Sequence, residues 1–202
     1  MKKLRQTPSQ TVGPFFAYSL TSEQYGYPFN SIINDSLIES NLDPKACVTA
    51  GERIYITGTV YDGKGDSISD AIVELFQADA NGQYRTTPIN HKNDGFTGFG
   101  RLGTGTNPEH RFTFTTIKPG SVEGQAPHID VLLMMRGSLR NLYTRLYFSD
   151  NMAANEQDDL FKSIPENRRK TLIANRLEAN GLVFYEFNIR MQGEEETVFF
   201  EL

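Results

Sequence analysis

His128 and Asp130 are the residues of this sequence whose types and spacing most suggest chemistry. They are two positions apart at the start of an apolar segment with the character of a β-strand. Because alternate residues of an extended strand point to the same face, the two side chains could together hold a metal ion or polarise a ligand. A histidine hydrogen-bonded to a neighbouring carboxylate explains the same pair without a ligand. By themselves the two residues make half of a site.

Tyr84 is a third candidate. It follows the segment Asp79-Ala80-Asn81-Gly82, which favours a tight turn because Asn81 and Gly82 tolerate positive φ. A tyrosine just past such a turn is most often an aromatic residue at a sheet edge, and only occasionally a phenolate ligand. The spacing alone does not connect Tyr84 with His128.

Composition and charge restrict the classes of partner. The 202 residues carry 20 basic and 25 acidic side chains, a net charge of −5, so no cationic surplus attracts nucleic acid or an anionic membrane. A single cysteine, Cys47, excludes an intramolecular disulfide and fits a reducing compartment. The histidines are too far apart for zinc motifs, which disfavours a self-contained zinc enzyme; they are His91, His110 and His128.

The amino-terminal segment MKKLRQTPSQ lacks the apolar stretch of a signal peptide, because polar residues follow its basic ones. The longest apolar run, Val131 to Met135, is far shorter than the roughly 20 residues that span a bilayer. We therefore expect a cytoplasmic protein with no membrane partner.

The chain is expected to form one domain with two regions. Residues 1–52 show no lasting period and are interrupted by proline-containing pairs, which predicts an irregular amino-terminal arm. Residues 53–202 alternate short apolar runs with turn sequences, which predicts the strands of a core. A chain of this length can bury one hydrophobic core without disulfides.

The core is predicted to be an all-β sandwich with one late α-helix. Residues 86–107, rich in glycine, asparagine and threonine, are predicted to be a long loop. The helix is predicted from Pro165 to a stop at Gly181, with Leu172 and Leu177 on one side. The predicted strands begin at Arg53 and Arg111 or cover Ala71 to Ala78, Ile129 to Met135, Leu142 to Phe148, Val183 to Met191 and Thr197 to Phe200.

The predicted strands also carry a motif that resembles, at every fixed position, the signature of the intradiol ring-cleavage dioxygenases. The resemblance implies a β-sandwich and the oxygen-dependent opening of catechols between their two hydroxylated carbons. The motif consists of Ile56-x-Gly58-x-Val60, Gly65, Ile68, Val73-Glu74-Leu75 and Gly82-x-Tyr84. The likeness continues, in order, at Phe99-Gly100-Arg101, Thr116 to Gly120, Pro127-His128-Ile129 and Thr144 to Phe148.

By the same resemblance, the iron site of the family is incomplete in this chain. Catalytic members hold Fe(III) with two tyrosinates and two histidines. The first tyrosine and the first histidine match Tyr84 and His128, whereas the other two positions are Val122 and Asp130. Because valine has no ligand atom and aspartate replaces a histidine, we expect a vestigial site that holds no metal.

Two further positions are exchanged relative to the catalytic members. Those members have an arginine three residues before the first histidine and a glutamine seventeen residues after it, and here these positions are Gln125 and Arg145. The new arginine beside Asp130 predicts an ion pair that fills the former pocket.

Both ends of the chain, Thr7 to Phe15 and Gln192 to Phe200, resemble the α chain of the two-chain members that cleave protocatechuate. The resemblance implies a homologous β subunit that carries Fe(III), and a higher αβ oligomer in which protocatechuate and O2 meet at a shared site. It implies activity only in the complex, as a step of aromatic catabolism by the β-ketoadipate pathway. It also implies substrate-binding residues in this chain: Thr11, Gly13, Pro14, Phe15 and Arg136.

The chemistry of these residues fits such a role. Gly13-Pro14 favours a tight backbone with a free neighbouring carbonyl, and Phe15 adds an apolar wall. Arg136 lies about 26 Å beyond His128 along an extended strand, so it belongs to a different pocket. Its planar fork could bind the ring carboxylate that distinguishes protocatechuate from catechol. An exposed ion pair at the strand end is the alternative for Arg136.

Two other functions stay open at this point. The chain could be a stand-alone enzyme with a remodelled metal site of Tyr84, His128 and Asp130. It could also be a scaffold, or a sandwich of the carbohydrate-binding type, with no residue at a reacting centre. Metal bound by the isolated chain would favour the stand-alone enzyme. Unchanged substrate affinity and turnover of the complex after substitution of Arg136 would favour the scaffold.

Overall fold

The computed structural model describes residues 8–13, 15–27, 35–38, 50–85 and 95–201, so Pro14, Cys47 and His91 lie outside the described ranges. No helix within those ranges is long and apolar enough to cross a membrane. The α-helices are α1 (Phe16–Leu20), α2 (Met152–Asn155), α3 (Asp159–Ser163) and α4 (Glu166–Arg169). The strands are β1 (Arg53–Tyr61), β2 (Ile72–Phe76), β3 (Phe99–Gly103), β4 (Arg111–Ile117), β5 (His128–Met134), β6 (Leu142–Phe148), β7 (Ile173–Ala179), β8 (Leu182–Glu186) and β9 (Ile189–Arg190).

The strands form one curled sheet in the order β3-β2-β5-β6-β7-β8-β1-β4, with β9 beside β1. Most neighbours are antiparallel, but β6 pairs with β7, and β1 with β8 and β9, in parallel. Because residues from both halves of the sheet share one hydrophobic cluster, the halves face each other around a common core. The prediction of an all-β sandwich is confirmed.

The core is built from apolar residues that alternate along the strands. Ile54 and Ile56 of β1 and Phe112 of β4 are fully buried, and they share the cluster with residues of β2 and β5. Burying each such side chain contributes about 1.5–3 kcal/mol to folding. Leu37 and Ile38, from the region predicted as an arm, also lie in this cluster.

Strand β5 separates two environments. Its residues Ile129, Val131 and Leu133 point into the common core and are fully buried. The intervening residues, such as Asp130 and Leu132, lie on the outer face of the sheet and are partly exposed. The outer face is where the candidate site residues of this strand are found.

Short helices cover the two ends of this outer face and leave its middle open. At one end, Ala17 of α1 packs on Ile72 and Met134. At the other end, Phe161 of α3 packs on Tyr147 of β6, with ring centroids 5.0 Å apart. Between the two covers lies a cavity of about 430 Å³, lined by Asp130 and Arg145 together with Phe76, Leu132, Tyr143 and Phe200.

The predicted late helix is wrong over most of its length. Only α4 and a 3-10 turn, Lys170–Leu172, are helical, and the chain then enters β7. The apolar residues of β7 fit both the period of an α-helix and the alternation of a β-strand. Pairing with β6 on one side and β8 on the other favours the strand. Gly181 does not stop a helix, because Asn180 and Gly181, both with positive φ, form the turn of the β7-β8 hairpin.

Three other expectations need correction. Residues 1–52 are not irregular throughout, because they contain α1 and a 3-10 helix, Ser22–Tyr25. The predicted loop 86–107 contains strand β3 within its described part. Residues 197–200 form no strand, although Phe200 makes an isolated bridge to Tyr143 and the Thr197 N–H donates to the carbonyl oxygen of Arg190 at 2.9 Å. The boundary between residues 52 and 53 as a division into arm and core stays a prediction.

Two glycines of the motif serve different purposes. At Gly58 a Cβ atom would lie 1.9 Å from the carbonyl oxygen of Phe187 and 2.7 Å from Cζ of Phe112, so only glycine allows this close approach. Gly65 has open space around it but adopts a φ of +90° in the turn after β1. One glycine is therefore required by packing and the other by backbone conformation.

We expect Gly58→Ala to lower the free energy of unfolding by about 2–3 kcal/mol, because the methyl group overpacks the core. Gly65→Ala, the matched control, should cost only about 1 kcal/mol for its left-handed conformation. Urea denaturation followed by circular dichroism measures both values. Equal losses for the two variants would contradict the packing argument.

Candidate functional site

Tyr84, His128 and Asp130 form one cluster on the outer face of β5. The Tyr84 hydroxyl donates to Oδ2 of Asp130 at 3.0 Å and lies 3.1 Å from Nε2 of His128. Nδ1 of His128 lies 2.6 Å from the carbonyl oxygen of Ala126. Because a carbonyl only accepts, Nδ1 carries the proton and Nε2 of the neutral ring is an acceptor. The expectation that His128 and Asp130 share a face is confirmed, and tertiary structure adds Tyr84.

A tight turn positions Tyr84. Oδ1 of Asp79 accepts hydrogen bonds from the backbone N–H groups of Asn81 and Gln83 at 2.8 and 3.0 Å. Gly82 has a φ of +77°, and a Cβ there would lie 1.9 Å from the carbonyl oxygen of Ser121. The turn is therefore pressed against the segment that contains Val122.

The helical segment that follows β6 holds the other side of the cluster. Asp158 caps the amino terminus of α3 by accepting from the backbone N–H of Phe161 at 3.0 Å. Its other oxygen accepts from the N–H of Ala126 at 2.9 Å. Because Ala126 in turn binds the His128 ring, one buried carboxylate connects the helix to the site. An aspartate at a helix start was the sequence signal that could have pointed to Asp158.

Arg145 brings a positive charge to this cluster. It lies directly opposite Asp130 in the pairing of β5 with β6, and its Nε donates to Oδ1 of Asp130 at 2.9 Å. Its Nη1 donates to Oε1 of Gln125 at 2.7 Å. The predicted ion pair between Asp130 and Arg145 is confirmed, and the two exchanged positions, Gln125 and Arg145, are in direct contact.

The electrostatic environment keeps the cluster in its neutral protonation states. Burial, with the charge of Arg145, lowers the pKa of His128. Burial, with the charge of Asp130, raises the pKa of Tyr84 well above its usual range. At neutral pH the site therefore contains a neutral imidazole and a protonated phenol next to the ion pair.

Arg136 lies in a second region, just beyond the other end of β5. Its Nε donates to Oδ2 of Asp70, and 58% of its side chain is exposed. The next residue, Gly137, donates its backbone N–H to Oγ1 of Thr11 at 2.7 Å. The structure thus brings together Thr11 and Arg136, two of the predicted substrate-binding residues, and it also contains the ion pair considered as the alternative for Arg136.

The neighbouring part of the arm presents exposed aromatic rings. Phe15 is 77% exposed, and its ring centroid lies 6.5 Å from that of Tyr18, which is 6.0 Å from that of Tyr27. The expected free carbonyl beside Pro14 is wrong for Gly13, whose oxygen accepts from the N–H of Phe16 at 3.1 Å.

The two regions do not meet. His128 begins β5 and Arg136 follows its end, and the seven residues of the strand span about 20 Å at 3.3 Å per residue. Sequence reasoning anticipated this separation but missed Asp70 and Tyr18. Tyr18 contributes, after Asp70, to raising the pKa of Arg136. Asp70 could be found only from the register of β2 and β5, which local patterns do not reveal.

Known proteins with similar sequences decide the family. A family model described as Dioxygenase matches residues 30–193. The chain is 45% identical, over its whole length and all of the relative, to the protocatechuate 3,4-dioxygenase alpha chain of Burkholderia cepacia. The corresponding alpha chain of Pseudomonas putida is 42% identical, with 98% of this chain and 97% of that chain aligned. The chain belongs to the intradiol dioxygenase family.

Other members of the family are more distant in sequence. The protocatechuate 3,4-dioxygenase beta chain of Burkholderia cepacia is 34% identical over 73% of this chain and 67% of its own. A dioxygenase domain from Streptomyces sp. SirexAA-E aligns over 95% of this chain and 100% of its own, with a TM-score of 0.61 and 23% identity. An intradiol ring-cleavage dioxygenase from Tetranychus urticae covers 81% of this chain and 88% of its own, with a TM-score of 0.59 and 18% identity. The two solved structures support the fold.

Intradiol dioxygenases depend on iron, but the donors present here do not fit that metal. Val122 offers no ligand atom, and Asp130 is already paired with the Arg145 guanidinium, whose positive charge would repel Fe(III). A tyrosinate ligand must lose its proton, whereas the surroundings of Tyr84 raise its pKa. Across the described ranges, no three His, Cys, Asp or Glu side chains come close enough together to hold a metal ion.

We expect the contribution of neutral His128 to the free energy of unfolding to decrease as the pH is lowered. The folded pKa lies below the ordinary value of 6.5, so as the pH drops through 6.5 the unfolded chain takes up the proton first. The difference in unfolding free energy between the wild type and His128→Gln should shrink between pH 7.5 and 5.5, by at most about 1.4 kcal/mol per pH unit. Denaturation at a series of pH values measures this. Parallel profiles would show that the environment of His128 is wrongly described.

Proposed function

We propose that this chain is the α subunit of a protocatechuate 3,4-dioxygenase. Together with a β subunit it would convert 3,4-dihydroxybenzoate and O2 into 3-carboxy-cis,cis-muconate, with both oxygen atoms entering the product. The observation that carries the proposal is the Arg145 cation held between Asp130 and Gln125 beside Tyr84. The Arg145 guanidinium lies where the donor atoms of this chain converge. An intradiol dioxygenase built from this chain would therefore need another chain to bind the metal.

The proposed partner is a homologous β subunit that binds Fe(III) and supplies the redox chemistry. The similarity to a protocatechuate 3,4-dioxygenase beta chain supports this pairing of homologous chains. A stand-alone enzyme with Tyr84, His128 and Asp130 as ligands is disfavoured, because these three side chains contact one another and Asp130 is paired with Arg145. The single cysteine, Cys47, is compatible with a reducing compartment, which supports a cytoplasmic location for the complex.

We further propose that the arm and Arg136 form a wall of the partner's substrate pocket. The contact between Thr11 and Gly137 holds the arm beside the arginine. Phe15 and Tyr18 present exposed rings on the same side, where a planar aromatic substrate can pack. The planar guanidinium group of Arg136 can form a bidentate ion pair with the ring carboxylate. By the sequence resemblance the proposed wall would also include Gly13 and Pro14, of which Pro14 lies outside the described residues. The activity would serve aromatic catabolism.

Iron analysis tests the division of labour between the chains. We expect the chain purified alone to bind less than a stoichiometric amount of iron and to show no ring cleavage. Co-expressed with an iron-bearing homologous chain, it should purify in a complex that holds the iron and the activity. Stoichiometric iron in the isolated chain, abolished by His128→Ala, would instead support a stand-alone enzyme.

Substitution of Arg136 tests the proposed pocket wall. Loss of a charge-assisted, bidentate contact should raise the KM for protocatechuate on the order of 10- to 100-fold in Arg136→Ala. Arg136→Lys should fall between this variant and the wild type, because lysine keeps the charge and lacks the fork.

Arg140→Ala is the matched control, because Arg140 follows in the same loop and 80% of its side chain is exposed. It should leave the KM unchanged. If Arg136→Ala assembles normally and keeps the wild-type KM and kcat, the chain acts as a scaffold without a residue at the pocket.

A further inference from the structure

We propose that Asp70 is a positioning residue that orients the Arg136 guanidinium for the carboxylate of the substrate. This inference rests on the function proposed above, in which Arg136 binds that carboxylate. Asp70 itself would touch neither the substrate nor the metal. Its effect would be exerted entirely through Arg136.

The register of two strands places the residues opposite each other. In the antiparallel ladder of β2 and β5, Ile72 pairs with Met134. Two residues outward on each strand lead to Asp70 and Arg136, which therefore face each other just past the last pair of the ladder. Because alternate residues share a face, both side chains lie on the outer side of the sheet, next to α1.

The contact uses one side of the guanidinium and leaves the other side available. Arg136 donates through Nε to Oδ2 of Asp70. In the described part of the chain, no other hydrogen bond from this side chain is found. The edge formed by the two Nη nitrogens therefore keeps donors available for a carboxylate.

Asp70 is the better fixed of the two partners. The next residue, Ala71, is buried and bonds Thr104 twice: its N–H donates to Oγ1 at 3.2 Å, and its carbonyl accepts from the Thr104 N–H at 2.9 Å. Oγ1 of Thr104 also donates to the carbonyl oxygen of Ile68 at 2.7 Å. Arg136, by contrast, follows the end of its strand with a mostly exposed side chain. The fixed carboxylate can thus restrict a flexible cation.

A negative charge beside Arg136 also repels an anionic substrate, so two effects of Asp70 compete. The substrate carboxylate would lie on the far side of the guanidinium, in a region open to water, where repulsion between two anions is weak. Freeing an arginine to adopt its many rotamers costs affinity each time that it must be reordered. We therefore expect orientation to outweigh repulsion.

Steady-state kinetics of the assembled, iron-loaded complex test the inference. Asp70→Ala should raise the KM for protocatechuate about 3- to 10-fold with kcat within about twofold of the wild type. Asp70→Ser, whose hydroxyl is too short to reach Nε but which favours the same turn, should do the same. Asp70→Asn keeps an acceptor for Nε and should restore a KM close to that of the wild type.

Two comparisons separate positioning from other effects. Asp66→Ala removes the same charge from an exposed position four residues earlier and should leave the KM unchanged. In an Arg136→Ala background, Asp70→Ala should have no further effect, because its action needs the guanidinium. Additive effects of the two substitutions would indicate a structural role and overturn the proposal.

The outcomes also separate this inference from the proposed function. If Arg136→Ala raises the KM but Asp70→Ala and Asp70→Ser leave it unchanged or lower it, Asp70 does not position the arginine and only this inference fails. If Arg136→Ala leaves the KM unchanged, the proposed role of Arg136 fails first, and the inference fails with it.

Discussion

The register of β5 against its two neighbours is the constraint on which both candidate regions depend. It places Asp130 opposite Arg145 on β6, and it places Met134 opposite Ile72 on β2, with Arg136 and Asp70 just beyond. A slip of one residue would turn every side chain of β5 to the other face. The apolar residues that β5 buries in the core forbid that slip, so hydrophobic burial on one face fixes the charged pairs on the other.

The cluster around Tyr84 illustrates how a chain can gather several potential metal-ligand groups around a cation of its own. Phenol, imidazole and carboxylate oxygen and nitrogen atoms converge there, and such a cluster is costly to leave without a positive charge or hydrogen-bond donors. The Arg145 guanidinium supplies both, since it pairs with Asp130 and donates to Gln125. Arginine keeps its positive charge at any accessible pH. The replacement is therefore complementary to the remaining donors.

The Tyr84 cluster and the Arg136 region lie at opposite ends of β5, and the two ends have different surroundings. One end of β5 is closed by the helices after β6, through the bond of Asp158 to Ala126, and carries the cluster of Tyr84, His128 and Asp130. The other end is bordered by α1 and the arm, and carries an arginine with exposed aromatic rings nearby. Under the proposed function, only this second end would take part in a reacting centre, and that centre would belong to the partner.

Local patterns in the sequence determined much of this protein. The bounds of β1 at Arg53 and of β6 agree with the prediction, because alternation and turn residues act over a few positions. The motif ending at Tyr84, and Val122 and Asp130 at positions where the resemblance implies iron ligands, were also visible in the sequence. Residues 173–179 were mistaken for a helix, and Asp70, 66 residues from Arg136, was missed. Only tertiary structure decides such features, because strand pairing and register are fixed by contacts between segments far apart in the chain.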